Sequence, residues 1–154
     1  MVTAMSINKK KSSIRNVKFG KNVTIIEPVN LYECSIADNC FIGPFVEIQK
    51  NVKVGKNTRI QSHSFICSNV KIGKNCFIGH GVNFINDKFL KNKIIKKSNK
   101  FLKTVIKDKV LIGSNSTILP VKIEQNAVVG AGSVITKNCE KNQIYLGNPA
   151  KKIK

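Results

Sequence analysis

Two histidines, His63 and His80, are the only side chains in the sequence that titrate near neutrality. Imidazole is the group best suited to moving a proton at that pH, so one of them is a candidate to orient or deprotonate a substrate amine. A turn-packing or solvent-exposed pair is the other reading of the same residues. Two imidazoles fall short of the three histidine ligands that a zinc hydrolase-like site requires beside its open position. No metal is therefore expected. The sequence holds no P-loop, no G-x-G-x-x-G and no Ser-His-Asp spacing. Five cysteines, an odd number without a C-x-x-C, read as reduced thiols of an intracellular protein and not as a disulfide framework.

The elements that position these groups follow from a repeat. From Ile36 an aliphatic residue recurs at every sixth position: Ile36, Ile42, Ile48, Val54, Ile60, Ile66, Ile72 and Ile78. A helix repeats near 3.6, so the unit is a short strand followed by a sharp turn. Four residues after each aliphatic stands a small or β-branched residue: Cys40, Val46, Val52, Thr58, Ser64, Val70, Cys76 and Val82. Cys34, Cys40 and Cys76 thus read as core. Turns that need a positive φ favour Gly and Asn. Ala37-Asp38-Asn39, Gly55-Lys56-Asn57 and Gly73-Lys74-Asn75 supply them eighteen residues apart. Three sides of six make one triangular coil, whose inward aliphatics stack at the ~4.8 Å strand spacing.

The fold expected is all-β, a parallel β-helix of hexapeptide repeats over residues 19–140. An irregular segment, 1–18, precedes it and a tail, 141–154, follows. One-residue slips are expected between Ile25 and Ile36 and between Ile118 and Ile123, where a side has five residues. The pattern stops between Asp87 and Thr104, and seven lysines lie from Lys88 to Lys103. This reads as one long loop protruding from a corner at about 87–104. On the eighteen-residue cycle, Ser62-His63 and His80-Gly81 are successive rungs of one corner, so the imidazoles are expected about one strand spacing, ~4.8 Å, apart. At the next corner Lys50, Ser68 and Asn86 are equivalents, with Asn86-Asp87 at the root of the loop.

Several segments narrow the family. The hexads with GPFVEIQ (43–49), QSHSFIC (61–67), IGHGVNFIND (78–87), GAGSVITK (130–137) and GNPAK (147–151) resemble the left-handed parallel β-helix acyltransferases that act on amino sugars. Within these, the chain is similar to the N-acetyltransferases of nucleotide-linked 3-amino sugars. The resemblance implies a left-handed coil, an exception to the usual right-handed crossover. It also implies a homotrimer with active sites between subunits, and acetyl-CoA as cosubstrate in the groove between two coils. The acceptor it implies is a 3-amino-3,6-dideoxy sugar, dTDP-linked in preference to UDP-linked, for cell-surface glycan synthesis. A UDP-3-amino uronate or a 4-amino sugar is the alternative. The matching Asn of this branch lies near the reacting amine, so Asn86 and Asp87 are expected to orient it without a dedicated histidine base. Glu47, Gln49 and Gln61 become candidate sugar ligands, although outward polar side chains of such a coil are often merely solvated. Gly113, Ala131 and Ser133 are expected to offer backbone groups to the pantetheine arm, and Lys137 or Lys151 to meet the CoA phosphates.

Composition bounds the partners. A chain of 154 residues and 17.1 kDa is the size of one domain. No apolar run approaches the ~20 residues of a membrane-spanning helix. Met1 to Arg15 lacks the apolar stretch of a secretory signal, so a cytoplasmic address without membrane contact is expected. The net charge of +19 points to a polyanion. Yet 25 of the 27 basic residues are Lys and only Arg15 and Arg59 are Arg, whereas base and phosphate recognition favours the Arg fork. With 21 Ile and 18 Asn beside them, an A/T-rich coding sequence accounts for the excess. The lysine-rich arm carries only Phe89 and Phe101 for base stacking. A non-catalytic basic β-helix that binds nucleic acid is the weaker reading.

Overall fold

The computed structural model describes residues 13–88 and 101–153. Short strands alternate with corners and wind into a parallel β-solenoid with three faces. The first face holds Ile14–Arg15, Asn30–Tyr32, Glu47–Ile48, Phe65–Ile66, Asn83–Phe84, Thr117–Ile118 and Val134–Ile135. The second holds Lys18–Phe19, Ser35–Ile36, Lys53–Val54, Val70–Ile72, Thr104–Ile106 and Lys122–Ile123. The third runs from Thr24–Ile25 through Phe41–Ile42, Arg59–Ile60, Phe77–Ile78, Leu111–Ile112 and Val128–Val129 to Ile144–Gly147 and Ala150–Lys152. Among the described residues no helix is long and apolar enough to cross a membrane.

Register follows from what each rung buries. Pairs such as Ile42↔Ile60, Ile60↔Ile78 and Ile78↔Ile112 run up the third face, and their side chains are almost fully buried. Each inward Ile removed from water is worth about 1.5–3 kcal/mol. The shortened sides fall where the spacing requires them: Leu31 is followed by Ile36 and Ile118 by Ile123 as successive inward residues. The small inward position also ties the coils together. Thr58 Oγ1 donates to the Gly73 carbonyl at 2.9 Å and Ser64 Oγ to Gly79 at 2.8 Å. Cys40 and Cys76 direct their thiols to the Gly55 and Lys107 carbonyls, both at 3.1 Å. Cys34, Cys40, Cys67, Cys76 and Cys139 are all buried and free. Burial pushes the Cys67 thiol up to about 12 and those of Cys34 and Cys139 up to about 11. Thr104 Oγ1 is buried with no partner among the described residues.

The corners differ in chemistry. Between the second and third faces the left-handed position is held by Asn22, Asn39, Asn57, Asn75, Lys109, Asn126 and Asn142. Their carboxamides bond in series, Asn22 to Asn39 at 3.3 Å, Asn39 to Asn57 at 3.2 Å, Asn57 to Asn75 at 3.0 Å and Asn126 to Asn142 at 2.9 Å. A second, shorter ladder joins Asn51 to Asn69 at 3.3 Å between the first and second faces. At the corner between the third and first faces the same column reads Phe45, His63, Gly81, Asn115 and Gly132.

The boundaries expected at 19 and 140 are too narrow. Ile14–Arg15 already pairs with Leu31–Tyr32, and Lys18–Phe19 with Ser35–Ile36. The first coil has little inward burial of its own, with Ile14 39% and Phe19 42% exposed, so its hydrophobic periodicity is weak in sequence. At the other end Val128–Val129 pairs with Ile144–Tyr145. Tyr145 takes the inward position, and its hydroxyl accepts the Glu140 N–H at 2.9 Å. The chain then turns back as an antiparallel strand, Tyr145↔Lys152. Most of the loop expected at 87–104 lies outside the described residues.

Candidate functional site

Both histidines stand on the corner between the third and first faces, but in different columns. Ile78 pairs with Ile60, which sets His80 opposite Ser62 and His63 opposite Gly81. The expected imidazole pair is therefore offset by one residue. His80 Nδ1 lies 2.8 Å from Ser62 Oγ, and the His80 amide donates to Ser114 Oγ at 3.2 Å. The other ring nitrogen of His80 has no partner among the described residues. His63 instead stacks on Phe45, with ring centroids 4.8 Å apart and planes at 29°. Both residues sit at positive φ, 60° for Phe45 and 62° for His63, a region that bulky side chains occupy at a cost. Phe45 is 57% exposed, so core burial does not offset that cost.

Asn86 and Asp87 lie at the far end of the strand Asn83–Phe84 from His80, half-buried. The Asn86 carbonyl accepts the Leu102 N–H at 3.0 Å. Asn69 Nδ2 reaches the Phe101 carbonyl at 3.5 Å. Asn86–Asp87 and the histidine corner thus bracket the first face, with Asn83 Nδ2 held on the Gly81 carbonyl at 2.9 Å between them.

Glu47 and Gln49 project from this first face into a directional chain of hydrogen bonds. Asn30 Nδ2 donates to Glu47 Oε2 at 3.0 Å and Gln49 Nε2 to Glu47 Oε1 at 2.9 Å. Arg15 donates to Asn30 Oδ1 at 3.1 Å and lies over the Tyr32 ring at 5.2 Å. The Ser68 N–H and Oγ–H both donate to Gln49 Oε1, at 3.3 and 3.2 Å. Burial and then the Glu47 charge raise the Tyr32 phenol above its ordinary value. Gln61 is half-buried one residue before Ser62 and outside this chain.

At the expected cofactor end the outcome is mixed. A Cβ on Gly113 would come within 2.4 Å of the Ala131 nitrogen, so the coils there touch through bare backbone. Ala131 is exposed, and its N–H has no partner among the described residues. Ser133 is fully buried: its carbonyl accepts the Thr117 N–H at 2.8 Å and its hydroxyl the Gly147 N–H at 3.2 Å. It presents no surface to a cofactor, because the small inward position serves the wall of the coil. Lys137 and Lys151 are exposed, the latter on the terminal hairpin opposite Leu146. No group of three or more His, Cys, Asp or Glu is placed to hold a metal among the described residues.

Two repeat-family models match the chain. One, described as bacterial transferase hexapeptide (six repeats), covers residues 33–68, and the other, hexapeptide repeat of succinyl-transferase, covers 69–82 and 103–137. The chain belongs to the hexapeptide-repeat transferase family. This hexapeptide-repeat transferase is 34% identical over 163 residues to the bifunctional protein GlmU of Streptococcus uberis, covering 99% of the chain and 35% of the relative. It thus spans about a third of the length of the curated relatives it matches. A hexapeptide-repeat acetyltransferase of Vibrio cholerae, solved with acetyl coenzyme A, superposes with a TM-score of 0.65 at 22% identity, covering 76% of this chain and 68% of that one. AntD, an N-acyltransferase of Bacillus cereus solved with dTDP-4-amino-4,6-dideoxyglucose and coenzyme A, gives 0.51 at 24% identity over 92% and 82%. The hexapeptide-repeat transferase therefore shares the solenoid fold of these two enzymes.

Sequence reasoning missed Ser62, Phe45, Asn30, Arg15 and Ser68. Only Phe45 had a readable signal. In eighteen-residue register it occupies a column that the other corners fill largely with Asn, and a bulky aromatic there is out of place. The contacts of Ser62 and Asn30 depend on side-chain reach across rungs, which periodicity does not encode.

Proposed function

We propose that this transferase moves the acetyl group of acetyl-CoA onto the amine of a nucleotide-linked 3-amino-3,6-dideoxy sugar, dTDP-linked in preference to UDP-linked. The carrying observation is the loop root, where Asn86 and Asp87 stand half-buried while both histidines sit at the opposite edge of the first face. An alcohol acceptor needs a base at the reacting oxygen. An amine attacks as its free base, and positioning supplies much of the rate. The nitrogen adds to the thioester carbonyl, a backbone N–H holds the oxyanion, the C–S bond breaks, and the amine proton passes to the departing thiolate to give CoA-SH. Asn86 and Asp87 orient the amine, and His80, held by Ser62 at the opposite edge, stands outside the proton's path.

The working unit in this reading is a left-handed, trimeric solenoid with sites between subunits. The Gly113 and Ala131 backbone and the Lys137 and Lys151 charges face the cofactor. Its substrates place it in the cytoplasm, ahead of surface-glycan assembly. A 4-amino sugar is the second reading, favoured by the ligand of AntD.

The test is thiol release from acetyl-CoA against a panel of dTDP- and UDP-linked 3-amino and 4-amino sugars. Turnover on a 3-amino sugar alone is expected. Silence across the panel despite CoA binding overturns the acceptor. Near-normal turnover of Asn86→Ala at saturating substrate removes Asn86 from the mechanism.

A further inference from the structure

The hydrogen-bond chain around Glu47 has a fixed polarity. Arg15 only donates, so Asn30 must turn Oδ1 toward it and Nδ2 toward Glu47. The Ser68 backbone N–H also only donates, so Gln49 must turn Oε1 toward it and Nε2 toward Glu47. Both carboxamides are thereby locked with their amino groups flanking the carboxylate. Each amino group carries two N–H bonds and spends one on Glu47. What remains is a row of donor, anionic acceptor, donor, at Asn30, Glu47 and Gln49.

The row keeps its charge without a cation. Asp38, Glu124 and Glu140 are each paired with a lysine. Glu47, in a chain of 27 basic residues, makes no ion pair among the described residues. Two residues before it on the same coil stands Phe45, 57% exposed at a φ of 60° and backed by the His63 ring. A strained, exposed ring beside a preset polar row is the pattern of a site for a flat heterocycle with a matching edge.

We infer that Asn30, Glu47 and Gln49 read the imide edge of a uracil or thymine base, stacked on the exposed face of Phe45. That edge presents carbonyl, N–H, carbonyl, the complement of donor, acceptor, donor. Cytosine presents two acceptors and a donor, guanine two donors and an acceptor, and each sets at least one like group against the row. Arg15 and Ser68 act as positioning residues. The inference rests on the proposed nucleotide-linked acceptor and names the part of the nucleotide that is recognised. It makes dTDP and UDP equivalent at this edge and shuts out cytidine, guanosine and adenosine carriers.

The experiment is calorimetric titration of the full chain with dTMP, UMP, CMP and GMP, repeated with Glu47→Gln and Phe45→Leu. The wild type is expected to prefer dTMP and UMP over CMP by at least about tenfold, since a mismatched edge leaves a desolvated polar group unpaired. In Glu47→Gln the dTMP to CMP ratio is expected to fall toward one. In Phe45→Leu all four weaken together while any ratio persists, a split that a purely structural role would not produce. Equal affinity for dTMP and CMP in the wild type, or an unchanged ratio in Glu47→Gln, overturns the inference. Acetyl transfer measured in parallel separates the two readings. Turnover of a dTDP-linked sugar without pyrimidine discrimination sinks the base edge alone, and discrimination without transfer sinks the proposed reaction alone.

Discussion

Replacing Gly113 by alanine tests whether bare backbone contact sets the spacing of the coils at the expected cofactor end. A Cβ there would stand 2.4 Å from the Ala131 nitrogen, 2.7 Å from its Cα and 2.9 Å from the Gly130 carbonyl carbon. Ordinary contact begins near 3.4 Å, so the rungs must separate by roughly 1 Å. That separation stretches the Gly113 to Val129 and Gly132 to Ser114 backbone bonds, both 2.8 Å. Overpacking of this kind costs about 1–3 kcal/mol. At about 2–4 °C per kcal/mol for a chain of this size, a melting temperature about 2–12 °C lower is expected by circular dichroism. Gly132 is the control. It has a φ of +69° and nothing within 4 Å of its ideal Cβ, and Gly132→Asn places a residue tolerant of that conformation in open space. A shift under about 2 °C is expected there. A Gly113→Ala protein that melts with the wild type would refute the steric argument.

Thr104→Val removes the one buried orphan hydroxyl among the described residues and keeps its shape, so denaturant titration should show unchanged or higher stability, by up to about 1 kcal/mol. The five buried thiols should resist a neutral disulfide reagent in the native state and all react once the chain is unfolded. Because burial raises the Cys34, Cys67 and Cys139 thiols in the fold, the unfolded chain ionises first. The stability they confer is whole below about pH 8.5 and lost as pH climbs through 11 to 12. Melting temperature should therefore fall across that alkaline range, and less steeply in Cys67→Ala.

The solenoid was legible because one physical constraint, an inward aliphatic on every short side, repeats at a fixed interval from Ile36 to Ile78. The five-residue sides ending at Ile36 and Ile123 were legible for the same reason. The outermost coils were not. Ile14 and Phe19 have no further rung outside them among the described residues and stay partly exposed, and the terminal hairpin abandons the six-residue spacing after Ile135. At the site, the interruption of the repeat after Asn86 and Asp87 was readable, since an interrupted repeat marks its own edges. The one-residue offset of His63 and His80 follows from the Ile60↔Ile78 register, but sharing a corner was mistaken for sharing a column. Ser133 was expected to offer its backbone, but the residue is fully buried and its carbonyl already accepts the Thr117 N–H. The polarity of the Glu47 row escaped altogether, since it is set by Arg15 and Ser68, which lie 32 and 21 residues away along the chain.

The asparagine column between the second and third faces has a bearing on how the molecule ages. Each inner carboxamide accepts from one neighbour and donates to the next, as Asn57 does between Asn39 and Asn75. Hydrolysis of one amide to aspartate would replace a donor by a second acceptor, so the new carboxylate would face the oxygen of the neighbour it once served. Residues after these asparagines are Val23, Cys40, Thr58, Cys76, Ala127 and Gln143. None is glycine, whose bare amide would let the backbone close on the side chain most freely. The spine is thus built from a residue type prone to spontaneous deamidation, each followed by a side chain that slows closure of the backbone onto the amide.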